Sequence, residues 1–171
     1  MVQENIILTG FMGTGKSTIG RALAARLKAT FIDTDQLIEQ RTSCRIADIF
    51  ARQGETAFRQ MEAEVAQELA DRCGLIIATG GGFFTNPENI GVLQQKGRIF
   101  CLTAAPQEIL KRVKKQRQLR PLLQHPNPLE RITQLLHERE PVYRQFPQIS
   151  TSGQTIDQVV DTIIRLLTPD S

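Results

Sequence analysis

Short apolar runs alternate with longer amphipathic stretches along almost the whole chain. Five runs have the length and composition of buried strands: Asn5 to Thr9, Thr30 to Ile32, Leu75 to Thr79, Arg98 to Leu102 and Gln148 to Thr151. Between them, apolar positions recur at helical spacing, as in 19–27, in Phe58, Met61, Val65 and Leu69, and in Val159, Val160, Ile163, Ile164 and Leu167. Strands alternating with helices predict parallel β-α-β units, and hence an α/β fold: a three-layer α/β/α sandwich around a five-stranded parallel sheet. Ligands in such sheets sit beyond the carboxyl ends of the strands, so the residues following each run are where chemistry is expected. The stretch from Lys111 to Asn127 departs from this order, being basic first and then rich in Pro and Leu.

The first of those junctions is Gly10-Phe11-Met12-Gly13-Thr14-Gly15-Lys16-Ser17-Thr18, between an apolar strand and a helical pattern. It satisfies the phosphate-loop motif G-x-x-x-x-G-K-[ST] in the right context, which makes the fold one of P-loop NTPase type. Glycines let successive backbone N–H groups point at one anion, and the following helix N-terminus adds partial positive charge. Lys16 is then expected at the terminal phosphates of ATP and Ser17 on magnesium. An acidic residue closing the strand Leu75-Ile76-Ile77-Ala78 would hold magnesium in many ATPases, but Thr79-Gly80-Gly81-Gly82 follows instead, and the guanine-reading N-K-x-D is absent. A carboxylate is supplied by Asp33-Thr34-Asp35. Each Asp alone reads as a turn or helix-cap residue; side by side at a strand end, one can orient the metal while the other faces a substrate hydroxyl.

Composition narrows the class further. A chain of 171 residues with 40% hydrophobic and 23% charged residues suits one globular domain, taken as 1–171. No stretch approaches a membrane span and no signal or transit peptide is visible, so a cytoplasmic protein is expected. A formal charge of +3 fits a small anionic substrate rather than nucleic acid, and the basic stretch Lys111 to Arg120 has no interleaved aromatics. Cys44, Cys73 and Cys101 are widely spaced and odd in number, which points to buried packing rather than disulfides or zinc. His125 and His137 are too few for a His-based metal site.

Taken in order, the loop, Asp33-Thr34-Asp35, Phe58-Arg59, Gly80-Gly81-Gly82, Arg120-Pro121-Leu122-Leu123 and Arg139-Glu140-Pro141-Val142-Tyr143 resemble shikimate kinase along nearly the whole chain. That resemblance implies a nucleoside-monophosphate-kinase-like protein that transfers the γ-phosphate of ATP to the 3-hydroxyl of shikimate. It implies that Gly13, Thr14, Gly15, Lys16, Ser17 and Thr18 bind ATP phosphates, with one magnesium on Ser17 and Asp33 beside it through water. Asp35 accepts or orients the attacking hydroxyl. Arg59 and Arg139 match the arginines that bind the substrate carboxylate, and Gly81 the glycine whose backbone meets a ring hydroxyl. Arg120 matches an arginine of a lid spanning about 112–124, acting in catalysis and on ATP, and Gln154 falls in the loop beside adenine. The substrate-binding segment is expected at about 33–61, and the protein is expected to be a monomer.

Without the resemblance, Arg59 reads as a solvated helix arginine and Arg139 as a charge near a helix end before Pro141. Arg112, Lys114, Lys115 and Arg117 read as solubility and general field. Two places depart from the family pattern: Gln145-Phe146 after Tyr143, and the bulky Phe83-Phe84 after the triple glycine. Two other functions are compatible with the loop alone: a kinase for another polyol acid such as gluconate, and a regulatory nucleotide-binding module. Asp35, Arg59, Arg120 and Arg139 together favour shikimate over both.

Overall fold

The structure is a computed structural model that describes residues 4–115 and 124–168. All five expected strands form: β1 (Asn5–Gly10), β2 (Thr30–Asp33), β3 (Leu75–Ala78), β4 (Gly97–Thr103) and β5 (Gln148–Ser150). They make one parallel sheet in the order β2-β3-β1-β4-β5. The helices are α1 (Lys16–Leu27), α2 (Thr34–Thr42), α3 (Ile46–Ala70), α4 (Pro87–Gln94), α5 (Pro106–Lys115), α6 (Pro128–Tyr143) and α7 (Ile156–Leu167), with a 3-10 turn at Phe83–Thr85.

Alternation along the central strand explains the three layers. Ile6 and Leu8 point to one face with Ile76, Phe100, Leu102 and Ile149, where α1 and α7 cover them with Ile19, Leu23, Val159 and Ile163. Ile7 points to the other with Ile77, Ile99 and Cys101, beneath α3, α4, α5 and α6. A strand covered on both faces reads as a continuous apolar run, which is why β1 was legible without any period-2 pattern.

Two expectations need correction. Cys101 is buried, but Cys44 is only half-buried and Cys73 is exposed, so packing does not account for all three. Pro141 does not follow a helix end: α6 runs through it to Tyr143, and Arg144 N–H donates to Glu140 O to close the last turn. The regular helical spacing in α3 also conceals a break, because Gly54 takes φ 83° and ψ 173° and divides the helix into 46–53 and 55–70. Glycine reaches that conformation without the steric penalty of a Cβ.

The two departures from the family pattern meet in space. Phe84 packs on Phe146 with ring centroids 5.6 Å apart and on Phe83 at 5.8 Å, all three being buried. Large side chains at both places fill one volume, so each accommodates the other.

Candidate active site

The phosphate loop leaves the end of β1 and delivers the chain into α1 through Gly15, which sits at φ 97° with no side chain capping the helix. First-turn N–H groups without a side-chain acceptor are what an anion requires there. Lys16 is buried, and its Nζ donates to the carbonyls of Gly10 and Phe11, both at 2.8 Å. Thr14 Oγ1 donates to the same Phe11 carbonyl at 2.7 Å, and the Phe11 ring lies 5.2 Å from the Arg139 guanidinium. Phe11 thus links the phosphate loop to α6.

A cleft opens on each side of this loop. One, of about 140 Å³, is lined by Gly13, Lys16, Ser17, Asp33, Asp35 and Gly81. The other, of about 230 Å³, is lined by Thr14, Thr18, Arg112, Thr151, Gln154 and Ile156. Gly15 and Thr18 border both, so the loop separates an acceptor side from a side suited to a base and ribose. Gln154 lines the second cleft.

On the acceptor side the two aspartates do different things. Asp33 caps α2 by accepting from the N–H groups of Asp35 and Gln36, and its Oδ2 accepts from Ser17 Oγ at 2.5 Å. The cap and the metal-side readings of Asp33 are therefore compatible, one oxygen serving each. Thr34 is fully buried and accepts from Gly80 N–H at 3.0 Å, which pins the triple glycine to the start of α2. Asp35, one residue on, lies against that glycine turn.

Each glycine of the triplet makes room for a different side chain. A Cβ on Gly80 would come 2.5 Å from Asp35 Oδ1; on Gly82, 2.7 and 2.8 Å from the terminal nitrogens of Arg59. At Gly81 the nearest atom would be Arg139 Nη1 at 3.4 Å, and the Gly81 carbonyl accepts from Arg139 Nη1 at 2.9 Å and from Tyr143 Oη at 3.1 Å. The arginines of α3 and α6, eighty residues apart in sequence, therefore converge on one backbone turn beside Asp35. Gly82→Ala should lower the melting temperature by a few degrees, because the clash pushes on an arginine end that buried Glu62 holds at 2.6 Å. On the reading of Arg59 as a carboxylate-binding arginine, which the resemblance implies, it should also raise KM for the acid acceptor about tenfold or more while KM for the nucleotide stays constant. Initial rates with each substrate varied would show this; an unaltered acceptor KM would mean that Arg59 does not depend on that space.

Arg59 is half-buried and paired on two sides. Its Nη1 donates to Glu62 Oε2 at 2.6 Å, and its Nε and Nη2 donate to Glu55 Oε1 at 3.3 and 3.1 Å. Burial opposes its charge, but the hydrogen bonds and charges of Glu62 and then Glu55 outweigh that and raise its pKa. Glu62 is buried to 1% exposure, and its Oε1 has no hydrogen-bond partner among the described residues. Burial pushes its carboxyl up to about 7; Arg59 pulls it down, and the negative charges of Asp35 and Glu55 add to the rise. The Tyr143 hydroxyl is likewise raised by burial, against the pull of Arg139. Cys101, under the loop on β4, is pushed up to about 12 by burial despite the charge of Lys16, so it is a packing thiol rather than a nucleophile.

Three residues emerge here that sequence reasoning did not assign a role: Glu62, Tyr143 and Thr151. Tyr143 lies four residues past Arg139 and Glu62 three past Arg59, so helical spacing was the available signal. Arg112 corrects an expectation. It is not part of a general field: it donates to Gly13 O, to Thr151 Oγ1 and O, and to Glu108, clasping the phosphate loop to the end of β5. Thr151 Oγ1 also contacts the carbonyls of Thr14 and Thr103. Of the expected lid at about 112–124, residues 112–115 are the last turn of α5, while Arg120 and the rest of 116–123 lie outside the described residues.

One phosphate loop serving two clefts, with arginines and carboxylates gathered on the acceptor side, is the arrangement of a small-molecule kinase of the P-loop class. The sequence model of the shikimate kinase family matches residues 12–168. A shikimate kinase of Thermus thermophilus is 47% identical over 163 residues, covering 95% of this chain and 89% of its own. One of Pelotomaculum thermopropionicum is 47% identical over 165 residues, covering 96% and 95%. Among solved structures, shikimate kinase from Acinetobacter baumannii in complex with shikimate superposes with a TM-score of 0.89 at 38% identity, over 96% of this chain and 93% of that one. The chain belongs to the shikimate kinase family. Among the described residues no helix is long and apolar enough to cross a membrane.

Proposed function

We propose that this chain transfers the γ-phosphate of ATP to the 3-hydroxyl of shikimate by positioning and charge stabilisation, with the roles divided between the two clefts. The observation that carries the reading is the convergence of Asp35, Arg59 and Arg139 on the triple-glycine turn next to the phosphate loop. Shikimate is a carboxylate bearing three hydroxyls. Two guanidiniums suit its acid, and Asp35 suits the hydroxyl that faces the phosphate. Lys16 follows the terminal phosphates, Gly13 to Thr18 supply backbone N–H groups and the Ser17 hydroxyl, and Gln154 with Arg112 borders the base. The Gly81 backbone meets the substrate ring, while its carbonyl holds Arg139 in place.

The donor set fits magnesium. Ser17 Oγ and Asp33 Oδ2 form a pair of hard oxygens on the acceptor cleft, and among the described residues no group of three His, Cys, Asp or Glu could hold a metal alone. Magnesium is commonly bound by one or two protein oxygens plus substrate phosphates and waters, which suits a metal that arrives with the nucleotide. When bound, it would draw negative charge from the phosphates. Ser17 would contact it directly and Asp33 would order its waters. The reading needs no residue from a second chain, and a monomer is the state proposed for it.

A loose phosphoryl-transfer transition state asks little of a base, so Asp35 serves mainly to aim the hydroxyl at the γ-phosphate and then accept its proton. A coupled ADP-release assay tests the reading with shikimate, quinate, gluconate and nucleoside monophosphates as acceptors. ADP should appear rapidly only with shikimate and magnesium, and slowly with ATP alone, because the acceptor completes the site and excludes water. Equal release with and without shikimate would contradict the assignment. Preferential turnover of gluconate would move it to another polyol acid.

A further inference from the structure

Its own helix holds Arg59 on two sides, and the two holds differ in kind. Glu62 is buried and takes Nη1 at 2.6 Å, whereas the Glu55 side chain is 66% exposed and takes Nε and Nη2 at 3.3 and 3.1 Å. The third direction is closed by Gly82. A Cβ there would lie 2.7 and 2.8 Å from the terminal nitrogens but 3.1 Å from Cζ, which places it at the mouth of the fork rather than over its plane. The Nε/Nη2 edge is thus the one able to give a carboxylate two parallel N–H bonds, and Glu55 sits on it.

We propose that Glu55 is an internal competitor for the substrate's carboxylate: it occupies the Nε/Nη2 edge of Arg59 and yields that edge to the incoming acid. This rests on reading the cleft as the shikimate site. Glu62 cannot be the one that yields, because withdrawing a buried, short-bonded partner would leave its carboxylate without compensation. Glu55 can, because an exposed ion pair with spacing i,i+4 contributes little and its carboxylate returns to water. The charge balance agrees, since Glu62 and Glu55 both bond one guanidinium, Asp35 adds negative charge near Glu62, and an anionic substrate must enter that cluster. A helix start after Gly54 explains an acidic residue at position 55. It does not explain why that residue takes the two-donor edge of Arg59.

Glu55→Gln tests the competition by calorimetric titration with shikimate and by initial rates. Its Kd and KM for shikimate should fall about two- to fivefold, the strength of an exposed pair, with KM for ATP unchanged. Glu55→Ala, which leaves no amide to hold Arg59, should shift shikimate affinity in the same direction. The uncharged carboxamide of shikimate should bind the parent and both variants equally. Unchanged or weakened shikimate binding in both variants, or an equal gain for the carboxamide, would overturn the proposal. Absence of shikimate binding by the parent protein would instead overturn the functional reading beneath it.

Discussion

Replacing Arg120 by Ala is expected to lower turnover by about 10³–10⁵ while shikimate affinity is largely kept, as for an arginine finger supplied in cis. The described arginines near the site have other commitments. Arg112 clasps Gly13 and Thr151, Arg59 is held by Glu55 and Glu62, and Arg139 bonds the Gly81 carbonyl. Arg120 lies in 116–123, outside the described residues, and the family resemblance is what assigns it to the charge that develops on the transferring group. Steady-state kinetics with direct measurement of shikimate binding separates the terms. A loss of tenfold or less, or a loss that lies wholly in shikimate affinity, would remove Arg120 from the transfer step.

Asp35→Asn should damage both turnover and binding, with kcat falling about 10²–10⁴ if Asp35 orients the hydroxyl and takes its proton. Asparagine keeps the shape that fits against Gly80, so the loss reports charge and hydrogen bonding rather than packing. Thermal unfolding checks that premise, and the melting temperature should stay within a few degrees. Near-normal turnover would show that solvent or another group accepts the proton. Intact shikimate affinity with lowered turnover would confine Asp35 to the chemical step.

What was legible in the sequence was local. The phosphate loop is a contiguous motif whose geometry follows from its glycines, and Asp33 and Asp35 stand within three residues of each other at a strand end. Apolar runs located the strands to within about a residue, because a doubly covered parallel sheet needs little else. Arg59 and Arg139 were different. Each reads as an ordinary helix charge, and only resemblance to a family singled them out, since the turn that unites them lies on a third segment. Thr151 and Arg112 act on the phosphate loop through contacts set by the tertiary fold, which no spacing rule exposes, whereas Glu62 stands one helical turn from Arg59. The break at Gly54 was hidden because the apolar face of α3 continues across it, and the proline at 141 marks no helix end because α6 continues to Tyr143.

Phosphorus NMR of the reaction mixture tests the central claim most directly. With shikimate, ATP and magnesium, a new phosphomonoester signal should appear as ATP is consumed, coupled to the proton on carbon 3 of the shikimate ring. Asp35→Asn should make that signal grow far more slowly. Inorganic phosphate as the main product, or a phosphoester coupled to a proton at another ring position, would contradict it.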